Sequence, residues 1–151
     1  MRLAKLSFAL LGFSAALMAA DPFVGTWKLN PDKSKFKTGA PLKDQVVTIA
    51  EAGTDLDVML GGTSAEGKPI SVHYSVPAQG GEGKITQAPY DAVSGKRMGK
   101  NRREISFSKG GNVVLTASSR VSADGKTTTV NVKGTDAQGK DVDAVVVYEK
   151  Q

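Results

Sequence analysis

Short runs of β-branched and apolar residues, alternating with polar ones and cut by glycine-bearing turns, constrain this chain most. The pattern is clearest in the C-terminal half. Runs over Asn101–Ser108, Val113–Val121, Thr127–Lys133 and Val142–Glu149 are separated by Lys109-Gly110-Gly111-Asn112, Ala123-Asp124-Gly125-Lys126 and Asp136-Ala137-Gln138-Gly139-Lys140. Gly-Gly and Asp-Gly between β-branched runs are hairpin signals, because those turns need positive φ. The connections are too short for a parallel crossover, so neighbouring strands should pair antiparallel.

The N-terminal half reads the same way, more loosely. Strands are expected over Phe23–Leu29, Gln45–Glu51, Leu56–Leu60 and Ile70–Val76, with weaker ones near 84–87 and 92–97, where glycines interrupt the pattern. Residues 31–43 read as a loop with room for one helical turn after Pro31-Asp32. No segment keeps a helical period, whereas several keep a period of two. Ile70, Val72, Tyr74 and Val76 share one face; so do Phe23, Gly25, Trp27 and Leu29, and Val142, Ala144, Val146 and Tyr148. One apolar face per strand implies one buried side per sheet. A hairpin-linked meander of eight to ten strands must hide its edges, and closure into an all-β antiparallel up-and-down barrel does so most simply. A two-sheet sandwich also satisfies the pattern.

Ahead of this domain lies a different kind of segment. Arg2 and Lys5 precede an apolar stretch, Leu6 to Leu17, and small residues follow through Ala20. This is the layout of a cleavable signal peptide. The apolar run is too short for a membrane span, which needs roughly 20 residues, and Asp21-Pro22 would end a helix there. We expect a signal peptide over residues 1–20, cleavage after Ala20, and a single domain over 21–151 in the bacterial periplasm or outside the cell. With no cysteine the chain has neither disulfides nor a lipobox anchor, so its own core must hold it together. Loss of Arg2 and Lys5 takes the net charge from +5 to +3, since no acid leaves with them. That balance gives no footing for a nucleic-acid partner, and a monomer is expected.

Two residues into the mature chain comes Phe23-Val24-Gly25-Thr26-Trp27. A Gly-x-Trp on the first strand resembles the signature of the calycins, the lipocalins and fatty-acid-binding proteins, in which the Trp closes the barrel floor. GTWKLNPDKSKF at 25–36, SADGKTTTV at 122–130 and the segment from Lys133 to Gln151 resemble bacterial exported lipocalin-like proteins of unassigned function. The resemblance covers most of the mature chain, but residues 77–100 match nothing in it. It implies a barrel with an apolar cavity and no known ligand. It also implies a basic residue from a late strand stacked on the Trp27 indole. Arg120, Lys133 and Lys150 are available, and Arg120 suits best because its guanidinium is planar. Fatty-acid-binding proteins hold a carboxylate with Arg-x-Tyr near the C-terminus; here Tyr148 fits, but Val146 stands where the Arg would be.

Candidate site residues follow from alternation. Arg102 and Arg103 are adjacent, so one of them faces inward, and an inward Arg103 could hold an anionic group or form an internal ion pair. Tyr74, Phe107, Leu115 and Tyr148 are candidates for cavity walls or plain core. The expected ligand-binding set is Trp27, Tyr74, Arg103, Phe107, Arg120 and Tyr148. His73, the one histidine, reads as a surface or rim residue, lacking the partners of a metal site. Lys96-Arg97, Lys100 and Arg102-Arg103 form the one basic cluster, a solvated loop or a patch for phosphate or a membrane surface. No cofactor is implied. Nothing supplies a nucleophile with its base or a paired acid and base, so no enzyme is expected. The expected function is exported binding of a small apolar or amphipathic molecule. The alternative is an envelope structural or interaction protein whose barrel is filled by its own side chains.

Overall fold

A computed structural model describes residues 20–151. The expected signal segment lies outside the described residues but for Ala20. The described chain is an antiparallel, nearly closed barrel with almost no helix. Its strands are β1 (Gly25–Leu29), β2 (Lys35–Thr38), β3 (Asp44–Ala52), β4 (Asp55–Thr63), β5 (Pro69–Pro77), β6 (Gly80–Glu82), β7 (Lys84–Gln87), β8 (Ala92–Gly99), β9 (Arg102–Lys109), β10 (Asn112–Val121), β11 (Thr127–Thr135) and β12 (Asp141–Lys150).

Consecutive strands pair through β3-β4-β5 and through β8 to β12, and β1 lies between β12 and β3. The long C-terminal hairpins arise where the turns predict them. Thr127–Thr135 pairs in unbroken register with Asp141–Glu149. The predicted loop at 31–43 holds a single 3-10 turn at Pro31–Lys33, capped by Asn30, whose side chain accepts from the Lys33 amide at 3.2 Å. After it the chain rejoins the edge of β12 as β2, with Phe36 opposite Ala144.

Twelve strands replace the eight to ten expected. The additions are β2 and β6, and neither has a strand-like composition. Gly80 and Gly81 in β6 have φ of 99° and 134°, so pairing with β8 rather than local preference makes that segment extended. Gly83 then redirects the chain. Residues 80–82 pair with β8, while 84–87 pair with β5. One broken strand thus bridges β5 and β8, which share few contacts of their own, and closes the barrel there. A Cβ at Gly83 would sit 2.7 Å from Val76 Cγ1 and collide with the Ser75 carbonyl, so only glycine fits the crossing.

One continuous core fills the interior, built from Trp27, Leu56, Val58, Tyr74, Val76, Ile105, Phe107 and Tyr148 among others. The expected first strand is shorter than its alternation suggests. Phe23 precedes it, in a turn closed by Val24 N–H donating to the Asp21 carbonyl at 3.0 Å. Phe23 still packs inward, at 1 % exposure.

Candidate functional site

Two groups of side chains inside the barrel hold its polar chemistry. The first closes one end. The Trp27 indole N–H donates to the Phe23 carbonyl at 2.9 Å, tying the turn before β1 to the first turn of the strand. Lys150 Nζ lies 5.3 Å from the Trp27 ring centre, within cation–π reach. Register explains this: Trp27 is the direct cross-strand partner of Lys150. It also explains the Gly of Gly-x-Trp. A Cβ on Gly25 would lie 2.7 Å from Lys150 Cε, and Gly25 has φ of 140°. The glycine leaves the lysine stem room to reach the indole.

The Arg120 expectation is therefore corrected. Arg120 is exposed and pairs across the strands with Arg102 and Thr129, all on the outer face. The signal for Lys150 was present: it shares parity with Val142, Ala144, Val146 and Tyr148, the apolar face of the last strand. Planarity of the guanidinium was the weaker criterion, because parity decides which side of the sheet a side chain can reach.

The same end holds an ion pair and a stacked arginine. Arg97 Nη1 donates to Asp21 Oδ2 at 2.8 Å, with both side chains largely buried. Arg97 also donates to the Gly99 carbonyl at 2.7 Å. Arg97 is thus no part of a solvated loop, whereas Lys96, Lys100 and Arg102 are exposed. Phe23 meets two charges: the Arg103 guanidinium lies 4.6 Å from its ring centre and that of Arg97 5.3 Å. Sequence reasoning assigned Phe23 to a strand and missed this plug.

Arg103 is the second feature. Alternation turns it inward, opposite Ser119 on β10, and it is 7 % exposed. Its Nε and Nη1 have no hydrogen-bond partner among the described residues. Burial lowers its pKa, Tyr74 and Asp21 oppose that shift, and Arg97 adds to it. Nearby, buried Thr128 leaves its Oγ1 unpartnered as well. Tyr74 stands edge-on to Phe107, with ring centres 5.2 Å apart at 88°, and Phe107 stacks on Tyr90 at 4.9 Å. Tyr148 donates its hydroxyl to Gln45 Oε1 in the interior. Burial raises the pKa of both Tyr74 and Tyr148.

The expected set thus divides five to one. Trp27, Tyr74, Arg103, Phe107 and Tyr148 line one interior, and Arg120 stands outside it. His73 faces outward from β5, Nε2 lying 2.9 Å from Asp57 Oδ1. On the core side of Arg103 lies a free space of about 10 Å³, bounded in part by Leu56, Val76, Gly95 and Ile105; Arg103 also borders a more open groove of about 330 Å³. Elsewhere the inner face is less filled. Val47, Leu60, Val72, Leu115, Val130 and Val132 pack against the core yet stay partly exposed.

No family profile matches the sequence, and no curated protein does. Solved structures do match. Zebrafish ileal bile acid-binding protein, crystallised with cholic acid, aligns with a TM-score of 0.51 at 16 % identity, covering 86 % of this chain and 99 % of that one. The fold is calycin-like. Two further structures align: a redesigned β-barrel, mFAP1, bound to DFHBI, with a TM-score of 0.46 at 15 % identity over 85 % of this chain and 95 % of its own, and EF1p2_mFAP2b bound to DFHBI, at 0.48 and 14 % over 88 % and 97 %.

Proposed function

We propose that this protein is exported and binds a small amphipathic molecule bearing an anionic group, with Arg103 as the polar anchor. The observation that carries this reading is the Arg103 guanidinium, buried inside a barrel with two of its nitrogens unpartnered. A buried cation that no ion pair among the described residues neutralises costs several kcal/mol, and Asp21, already paired with Arg97, offsets only part of it. An anion accepting from Nε and Nη1 would recover much of that cost through charge-assisted hydrogen bonds. The partly exposed inner residues Leu60, Val72, Leu115, Val130 and Val132 supply an apolar wall for the rest of the ligand. The bile acid-binding barrel, whose ligand is an amphipathic acid, lends the reading a precedent in fold. Export rests on the signal-like layout of residues 1–20, and the place of Asp21 and Phe23 in the plug bears only on the point of cleavage. A cut after Ala20 keeps both, whereas a cut two or three residues later would remove the carboxylate that pairs Arg97.

The space of about 10 Å³ on the core side of Arg103, room for about one water, favours a second reading. In that reading the barrel is filled by its own side chains and serves as an envelope structural or interaction protein. Native mass spectrometry of protein purified from its own host, followed by titration with a fluorescent fatty acid, separates the two. Binding expects a co-purifying acid and saturable titration, weakened at least tenfold in Arg103→Met. Absence of a ligand, together with no saturable titration of the wild type, sinks it in favour of the filled barrel.

A further inference from the structure

The strands that turn Arg103 inward turn two other arginines outward. Arg102 on β9 and Arg120 on β10 are direct cross-strand partners, and both are exposed. Like charges in opposed positions on a strand pair destabilise it. Among the described residues neither arginine joins an ion pair; the three pairs are Lys33–Glu149, His73–Asp57 and Arg97–Asp21. Glu104 lies two residues from Arg102 on the same face. Its Oε2 accepts from Ser118 Oγ at 3.1 Å, and across the sheet it faces Lys96. The face therefore keeps a surplus of positive charge at the point where the two arginines meet.

These arginines stand beside a surface groove of about 330 Å³. Ser118, Thr129 and Asn131 border it, and Met98, 41 % exposed, forms part of the wall. Arg102, Ser118, Arg120, Thr129 and Asn131 share the outer face by register. Two arginines thus border one groove beside Ser118, Thr129 and Asn131.

We propose that this groove is a phosphate-group site. Paired guanidinium forks match the several oxygens and the double charge of a phosphomonoester better than a single carboxylate. The Thr129 hydroxyl and the Asn131 amide add neutral donors, while the Ser118 hydroxyl donates to Glu104. The groove is many times a water's share of liquid volume, roughly 30 Å³, so the phosphate can arrive on a larger molecule. The occupied state would relieve the repulsion between Arg102 and Arg120, which no ion pair among the described residues offsets. Arg103 and Ser119, inner-face partners on the same two strands, also border the groove, so it shares a wall with the barrel interior. The proposed phosphate ligands Arg102 and Arg120 are distinct from the Arg103 anchor, and replacing them leaves Arg103 in place.

The test is a titration of ¹⁵N-labelled protein with inorganic phosphate and with glycerol 3-phosphate, beside flotation with phosphatidylcholine vesicles with or without phosphatidic acid. Saturable amide shifts at Ser118, Thr129 and Asn131 are expected with the soluble phosphates, weakened at least tenfold in Arg102→Gln/Arg120→Gln. Lys133→Gln, an exposed change on the same face, should leave them unaltered. Flotation with phosphatidic acid alone, lost in the double variant, would support the site and assign its phosphate to a lipid headgroup. Soluble binding without flotation would assign it to a soluble ester. The proposal is overturned if neither form of phosphate binds, or if binding survives in the double variant. It is equally overturned if Lys133→Gln weakens binding as much, since that marks diffuse surface charge. Arg120→Gln alone, monitored by circular dichroism, provides a folded variant should the double one fail to fold.

Discussion

Arg103 shows how one position can oppose stability and support binding. The residue is 7 % exposed, two of its guanidinium nitrogens lack partners among the described residues, and burial lowers its pKa. Stacking on Phe23 at 4.6 Å offsets part of the cost. Replacing it with an apolar side chain of similar length should raise the stability of the ligand-free protein. Arg103→Met is expected to gain roughly 1–4 kcal/mol, read from urea unfolding; a loss of stability would mean that the stacking outweighs desolvation. Phe23 works in the other direction. It is 1 % exposed and meets both arginines, so Phe23→Ala should cost about 3–5 kcal/mol, seen as a lower urea midpoint. The buried tyrosines set a pH limit. Tyr74 and Tyr148 are raised above their ordinary value of 10.0 by burial, so above that pH the unfolded chain loses protons the native one retains. Their contribution is whole below pH 10 and falls as pH rises, by up to about 1.4 kcal/mol per pH unit for each. Melting temperature measured from pH 8 to 11 should drop at the alkaline end, and less steeply in Tyr148→Phe.

Among the elements, β6 and β7 decide whether the barrel closes. They are one strand that changes partner at Gly83, from β8 to β5. The Cβ of any other residue would press on Val76 Cγ1 at 2.7 Å. Gly83→Val is expected to cost about 1–3 kcal/mol through overpacking. Hydrogen exchange should show the damage along β5, β7 and β8, with the β10–β12 hairpins still protected; uniform loss of protection would assign Gly83 a global role instead. The segment before β1 is as exacting. Asp21 and Arg97, 11 % and 12 % exposed at the side chain, meet at 2.8 Å, and a largely buried pair left with one partner is costly. Asp21→Asn should lower stability by roughly 3–5 kcal/mol at the most, and mass spectrometry of the exported protein should find Asp21 as the first residue.

For the whole molecule, closure removes the free edges that a twelve-stranded sheet would otherwise offer to neighbours. Much of the interior packs tightly around Tyr74, Phe107 and Trp27, while Leu115, Ala117 and Ser119 on β10 and Val130 and Val132 on β11 stay partly exposed. Ligand binding to the native state alone adds RT ln(1 + [L]/Kd), about 2.7 kcal/mol at a hundredfold excess over Kd. Delipidated protein should therefore melt at a lower temperature than protein from its host. Equal melting temperatures, with no ligand in either, would fit the filled barrel.

What the sequence determined by itself was local and periodic. Alternation and glycine turns specified the antiparallel meander and placed Trp27, Tyr74, Phe107, Tyr148 and Arg103 on inward faces, because period two and turn chemistry depend on near neighbours alone. Parity of the last strand already contained Lys150 as the partner of Trp27, although the choice of Arg120 passed over it. Only the tertiary structure decided the rest. β2 and β6 are strands because β12 and β8 offer them edges, Gly83 is required because Val76 and Ser75 crowd it, and Arg102 meets Arg120 because a register across two strands brings them together. Phe23 became a plug for the same reason: its partners Arg97 and Arg103 lie more than seventy positions along the chain. Such pairings follow from closing the barrel, and no short window of sequence contains both members.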